Sequence, residues 1–176
     1  MIRIFLLILL GFFVVQDEPT LTWSSDYRLH WHDFKAVPKN QSDVIAVTAS
    51  GLSFGFATTR YSTGEIEYDF DVKAHFYPEK SWYLKDLVND VTLSHERLHF
   101  DITELHARKF RRRVQNTRFS SNIDTEMESI HLAIEKELRE MQKQYDQETS
   151  HSRLVEKQQK WNNHIKTELE KLNAYR

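Results

Sequence analysis

Ile66-Glu67-Tyr68-Asp69-Phe70-Asp71-Val72-Lys73-Ala74-His75-Phe76 alternates apolar and polar side chains from end to end. Successive side chains of a strand point to opposite faces, so this stretch predicts one long strand with a buried face and a charged, wet face. After Pro78 the apolar period lengthens from two to that of a helix. Trp82 to Leu87 leads in, and Leu98, Ile102 and Leu105 recur at helical spacing in a first helix predicted over Asn89 to Phe119. A second helix is predicted from Asn122 or Asp124 to about Tyr145, carried by Ile123, Met127, Ile130, Ile134, Leu138, Met141 and Tyr145. Asp146 to Ser150 is polar and reads as a break. A third helix follows, with Leu154, Trp161, Ile165, Leu169 and Leu172 on its inner face.

Upstream of Ile66, the segment Val44 to Thr58 is rich in β-branched, small and aromatic residues and reads as a strand, with Gly51 and Gly55 marking a bulge or a close backbone approach. Tyr61 to Gly64 is a turn between it and the long strand. Within the linker-like stretch from Pro19 to Pro38, Tyr27, Leu29 and Trp31 alternate with Arg28 and His30 as one short strand. Strands come first and helices after. That order indicates an α+β fold, a small antiparallel sheet from the N-terminal half followed by three long helices.

Composition narrows the chemistry. The chain has 176 residues, a formal net charge of −2 and no cysteine. One domain's worth of apolar residues is present, and the near-neutral balance excludes a basic nucleic-acid-coating protein. Without sulfur there is no disulfide framework, thiolate zinc finger or cysteine nucleophile. Residues 1–16 hold Arg3 followed by the apolar run Ile4 to Val15, too short to span a bilayer comfortably, since roughly 20 helical residues are needed. They read as a signal peptide or an N-terminal anchor, with residues 17–176 as a single exported domain, periplasmic or secreted, that touches a membrane only through that segment.

The chemistry concentrates in His95-Glu96-Arg97-Leu98-His99, an H-E-x-x-H motif inside the first predicted helix. Residues four apart share a helix face, so both imidazoles reach one ion, and the carboxylate of Glu96 beside the first ligand is placed as a general base. The expected metal is Zn²⁺, held by His95, His99 and a third protein ligand with one position open. The extended motif would require His at 105, where Leu105 stands. His106 lies about 10 Å along the axis from His99, too far to share ligand bonds of ~2 Å, and reads as cleft lining or core. Glu104 lies off the ligand face and is expected to be solvated. His151, after the polar stretch from Asp146 to Ser150, is a candidate third ligand because a side chain in a break between helices can be aimed freely; the alternative is that it merely starts the third helix.

Leu29-His30-Trp31-His32-Asp33-Phe34, Ser81-Trp82, Leu93 to Ile102 and Tyr145-Asp146-Gln147-Glu148-Thr149-Ser150-His151 together resemble a bacterial domain-of-unknown-function family described as predicted secreted zinc-dependent proteases. The resemblance covers nearly the whole chain after residue 16. It implies a zincin-like metallopeptidase domain with His95 and His99 as ligands, Glu96 as base, and the segment ending in His151 as part of the site. Ser152 departs from the family's pattern, where Gly often follows that histidine. Under this reading Tyr145 is a candidate oxyanion donor, with a core role as its alternative, and Asp101 or Asp146 is a candidate for orienting a ligand imidazole. The strand Ile66 to Phe76 offers an edge to an extended peptide substrate, or else is internal.

Arg108, Lys109, Arg111, Arg112 and Arg113 crowd the end of the first helix. Cations there complement the helix dipole, and without overall basicity they read as a solvated face, with no nucleic-acid partner. The competing functional class is a non-catalytic zinc-binding envelope or interaction protein whose long helices form a docking surface. Glu96 separates the two, because a purely structural site has no need of a carboxylate beside its first ligand.

Overall fold

A computed structural model describes residues 18–38 and 44–176. The apolar run at the N-terminus, and the roles expected of it, lie outside the described residues. The order of elements is β1 (Leu21–Thr22), β2 (Ala46–Val47), β3 (Ser50–Arg60), β4 (Ile66–Phe76), β5 (Trp82–Tyr83), α1 (Asp90–Asn116), α2 (Ile123–Thr149) and α3 (Val155–Lys171). Among these, no helix is long and apolar enough to cross a membrane.

The alternating stretch is β4 with the bounds its pattern predicts. β3 pairs with it antiparallel and residue for residue, from Ser50 opposite Phe76 to Arg60 opposite Ile66. The register has no bulge. Gly51 instead marks a close approach, since a Cβ there would stand 3.4 Å from the Tyr77 ring, while around Gly55 nothing lies within 4 Å. The turn between the strands closes with Tyr61 N–H donating to Glu65 C=O and Gly64 in the left-handed region at φ +85°. β1 pairs with the last residues of β4, giving the order β1-β4-β3, and β2 with β5 forms a separate antiparallel ladder. β4 is therefore internal only at its last residues, because β1 covers just His75 and Phe76; along Ile66 to Lys73 its second edge has no strand partner among the described residues.

The segment Tyr27 to Trp31 is not a strand. Side chains take over its backbone and its polar groups: Arg97 Nε donates to Leu29 C=O at 2.6 Å, Asp33 accepts from His30 N–H at 2.7 Å and from the Tyr27 hydroxyl, and Arg28 binds Asp101. A short 3₁₀ turn at Trp31–Asp33 follows. The alternation there instead buries Leu29 and leaves Tyr27 exposed.

α1 begins where Asn89 caps it, its side chain accepting from the N–H groups of Val91 and Thr92. The helix is buried on nearly all sides. One face packs Phe100, Phe110 and Val114 against Val72 and Phe76 of the sheet and Met127 and Ile134 of α2. Another packs Leu98, Ile102 and Leu105 against Leu138 and Tyr145 of α2 and Trp161 and Ile165 of α3. Each large apolar side chain so buried contributes about 1.5–3 kcal/mol. A helix with this little contact with water must pair its charges internally. Glu104, expected to be solvated, is 3% exposed and accepts from Arg108 Nε at 2.8 Å and Arg111 Nη1 at 3.2 Å. The basic run is likewise a solvated face only in part: Arg112 is exposed, while Arg108 is buried and Arg111 and Arg113 are partly buried. Arg108 also donates to Leu169 C=O on α3, Arg111 to Val72 C=O on β4 and Tyr175 C=O near the C-terminus, and Arg113 to Glu137 on α2. These guanidiniums fasten the other elements to α1.

α2 runs through the stretch read as a break and ends only at Thr149, where Ser150 takes the left-handed conformation at φ 49°. Leu154, expected on the inner face of α3, is 48% exposed because it is the residue before the helix starts.

Candidate metal centre

The four-residue spacing on α1 stacks His95 and His99 on one face, with Nε2 to Nε2 at 3.1 Å. α2 packs beside α1, and its extra turn brings Asp146 to the same point. Asp146 Oδ1 stands 3.1 Å from His95 Nε2 and 3.0 Å from His99 Nε2. Among the described residues these three side chains form a group whose ligand atoms all lie within 4.8 Å of one another.

Two glutamines hold the far sides of the imidazoles. Gln142 on α2 donates its Nε2–H to the His99 backbone carbonyl at 2.9 Å, which leaves Oε1 to accept from His99 Nδ1. Gln158 on α3 donates to Asn162 Oδ1 at 2.9 Å, while its Oε1 accepts from the Tyr145 hydroxyl at 2.7 Å and from His95 Nδ1 at 3.0 Å. With both protons on Nδ1, both Nε2 lone pairs and a carboxylate oxygen face one another with no donor between them. Three acceptors at such distances repel unless positive charge sits among them, either a metal ion or a further proton on an Nε2 that Asp146 then accepts. Tetrahedral nitrogen and oxygen ligands at about 2.0–2.1 Å from Zn²⁺ stand roughly 3.3 Å apart, so the donor set and its spacing fit a zinc ion.

Electrostatics point the same way. Burial acts to raise the Asp146 pKa, yet the hydrogen bonds with His95 and His99 outweigh it and hold the carboxyl below its ordinary range. Burial acts to lower the His99 pKa, but the hydrogen bond with Asp146 and the charges of Glu96 and Asp146 prevail and raise it. The site attracts positive charge.

Glu96 is 4% exposed and borders a cleft of about 250 Å³ together with His95, His99 and Asp146. Its backbone carbonyl accepts from Thr48 Oγ1 at 3.2 Å, and among the described residues no donor occupies its carboxylate. The opposite bank of the cleft is Val44 to Thr48, and the rim is His151, Ser152 and Arg153.

His151, expected as the third ligand, stands at that rim. Its Nδ1 is 3.7 Å from Asp146 Oδ1 and its side chain is 63% exposed, so the structure groups Asp146, and not His151, with His95 and His99. The cause is the length of α2. Because the helix does not break at Asp146, that residue keeps a helical position facing α1, and His151, at φ 51°, falls in the left-handed turn between Ser150 and Ser152, which also have positive φ. Tyr145, expected as a candidate oxyanion donor, is fully buried beneath the ligand helix, its hydroxyl donating to Gln158 and to the His95 carbonyl. Burial pushes its pKa up. Asp101 binds Arg28 and the Trp23 indole, away from both imidazoles. His106 is core, fully buried with Nδ1 donating to Ile102 C=O at 2.8 Å.

Sequence reading did not single out Gln142 and Gln158. A signal for Gln158 is present, because it lies three residues before Trp161 on the apolar stripe of α3, and an amide on such a stripe needs a buried partner.

The family model described as "Bacterial protein of unknown function (DUF922)" matches residues 38–152, a span that takes in the cleft strand, the ligand helix, Asp146 and the turn carrying His151. No curated protein and no solved structure matches the chain. With the match covering more than half of its length, the chain belongs to this bacterial family of unknown function.

Proposed function

We propose that the protein is an exported zinc-dependent metallopeptidase that hydrolyses peptide bonds with Glu96 as general base. The observation that carries this reading is the convergence of His95 Nε2, His99 Nε2 and Asp146 Oδ1 on one point, with Glu96 lining the same cleft. A Zn²⁺ bound there supplies Lewis acidity to a carbonyl and brings the pKa of water to near ~7. Glu96 takes a proton from the attacking water and returns it to the departing amine. Its burial and its lack of a competing donor suit that task. A peptide substrate suits the opposite bank. Ile45 C=O accepts from Leu84 N–H, so by the alternation of the ladder the N–H and C=O groups of Val44, Ala46 and Thr48 turn the other way, toward the cleft. An extended chain laid along that edge has its backbone held beside Glu96. His151 and Arg153 close the rim as contacts for the substrate. Export rests on the apolar run Ile4 to Val15.

The test is Glu96→Gln in residues 17–176. Zinc content equal to that of the parent, with hydrolysis of a mixed peptide library lost by at least a hundredfold, is the expected result. Hydrolysis unchanged in the variant overturns the reading.

A further inference from the structure

Gln158 lies on α3, beyond residues 38–152 that the family model matches. We propose that Gln158 is a positioning residue of the metal centre, and that Asn162 sets the direction in which its amide points. The proposal rests on the zinc-site reading above.

The two glutamines that face the ligand imidazoles are anchored differently. Gln142 donates to a backbone carbonyl, an acceptor that cannot become a donor, so its amide has one direction and His99 one tautomer. Gln158 is anchored by side chains alone. Its Nε2–H donates to Asn162 Oδ1, and Asn162 Nδ2–H donates to Ser94 Oγ at 3.2 Å. Amides and hydroxyls can both give and accept, so this chain can run in two directions. In the direction the structure holds, Gln158 Oε1 faces His95 and the imidazole proton is on Nδ1, leaving Nε2 free for a metal. Run the other way, the Gln158 amide donates to Nδ1, the proton moves to Nε2, and His95 no longer has a lone pair to offer. Tyr145 supports the first direction, since its hydroxyl donates to Oε1 at 2.7 Å. Gln158 is 2% exposed, so water does not replace its partners. α3 thereby does more than cover the core. It selects the tautomer of a ligand, and it does so through Asn162 and Ser94, which both border the large cavity of about 710 Å³ on another side of α1.

The test uses residues 17–176 with zinc chloride in competition with a chromophoric chelator, and ¹⁵N spectra of the histidine rings. Gln158→Glu offers only acceptors and holds the proton on Nδ1, so zinc affinity is kept or increased. Gln158→Leu removes the acceptor, and affinity falls about 10- to 100-fold, the usual effect of losing the group behind a ligand imidazole. Asn162→Leu, at a partly exposed position that leaves the core intact, weakens zinc several-fold and shifts the His95 ring in the apo protein toward the Nε2–H form. Asn162→Asp, an acceptor only, preserves both. A parent that binds no zinc refutes the metal-centre reading itself. A parent that binds zinc, with affinity and His95 tautomer unchanged in both leucine variants, overturns the role of Gln158 alone.

Discussion

A histidine buried with a cation at its edge resists protonation, and His106, whose Nε2 lies 3.5 Å from Lys109 Nζ, shows what that costs. Burial lowers its pKa to about 4, against a hydrogen bond to Ile102 C=O that works weakly the other way. In the unfolded chain it titrates near ~6.5. The unfolded state therefore binds the extra proton first as pH falls, so the contribution of this residue to stability is complete above pH ~6.5 and is lost progressively down to about pH 4. The contribution of His106 to the unfolding free energy should be lower at pH 4.5 than at pH 7 by about 2–3 kcal/mol. His106→Gln keeps a donor for Ile102 C=O and does not titrate. Urea unfolding at the two pH values should show a drop smaller by that amount in the variant, and equal drops would mean that His106 is hydrated in the native protein.

At the scale of elements, the arginines of α1 decide the packing. Glu104, Arg108 and Arg111 form a charge cluster inside the fold, and Arg108 and Arg111 extend it to α3, β4 and the C-terminal segment. Removing one partner of a buried ion pair strands the other, at a cost of about 3–5 kcal/mol. Glu104→Leu should lower the unfolding free energy by that amount in chemical denaturation, and a loss under 1 kcal/mol would show that Arg108 finds water. This cluster was not legible in advance. Helical spacing shows which side a residue occupies but not how many neighbours surround the helix, and α1 is enclosed by the sheet, α2 and α3. Periods were a better guide. β4, α1 and α3 lie close to where alternation and apolar stripes placed them, whereas the single strand read over Val44 to Thr58 is two, β2 pairing with β5 and β3 with β4, and of the alternatives for Gly51 and Gly55 only the close approach at Gly51 is met. The end of α2 was misplaced because Asp146 to Ser150 is polar. Polarity there reflects a helix face turned to the cleft and solvent, not a loss of helix, and the true stop is the left-handed turn at Ser150 to Ser152, formed without the glycine that would have announced it.

The whole molecule holds its candidate site between elements of distant sequence. α1 brings two imidazoles and Glu96, α2 brings Asp146 and Gln142, α3 brings Gln158, and β2 brings the opposite bank. The H-E-x-x-H core was legible because one helix carries it and its spacing is local. The third donor and both glutamines depend on how helices pack, which no single stretch encodes. Asp146 in place of His151 beside the two imidazoles, with His151 at the rim, is the largest difference between the structure and what the linear motif suggests. The direct test is bound zinc per chain, by elemental analysis of residues 17–176 and of the Asp146→Ala and His151→Ala variants after equal exposure to zinc. About one zinc in the parent, retained in His151→Ala and lost in Asp146→Ala, is the predicted result. Zinc kept in Asp146→Ala and lost in His151→Ala would contradict it, and no zinc in a folded parent would remove the metal centre altogether.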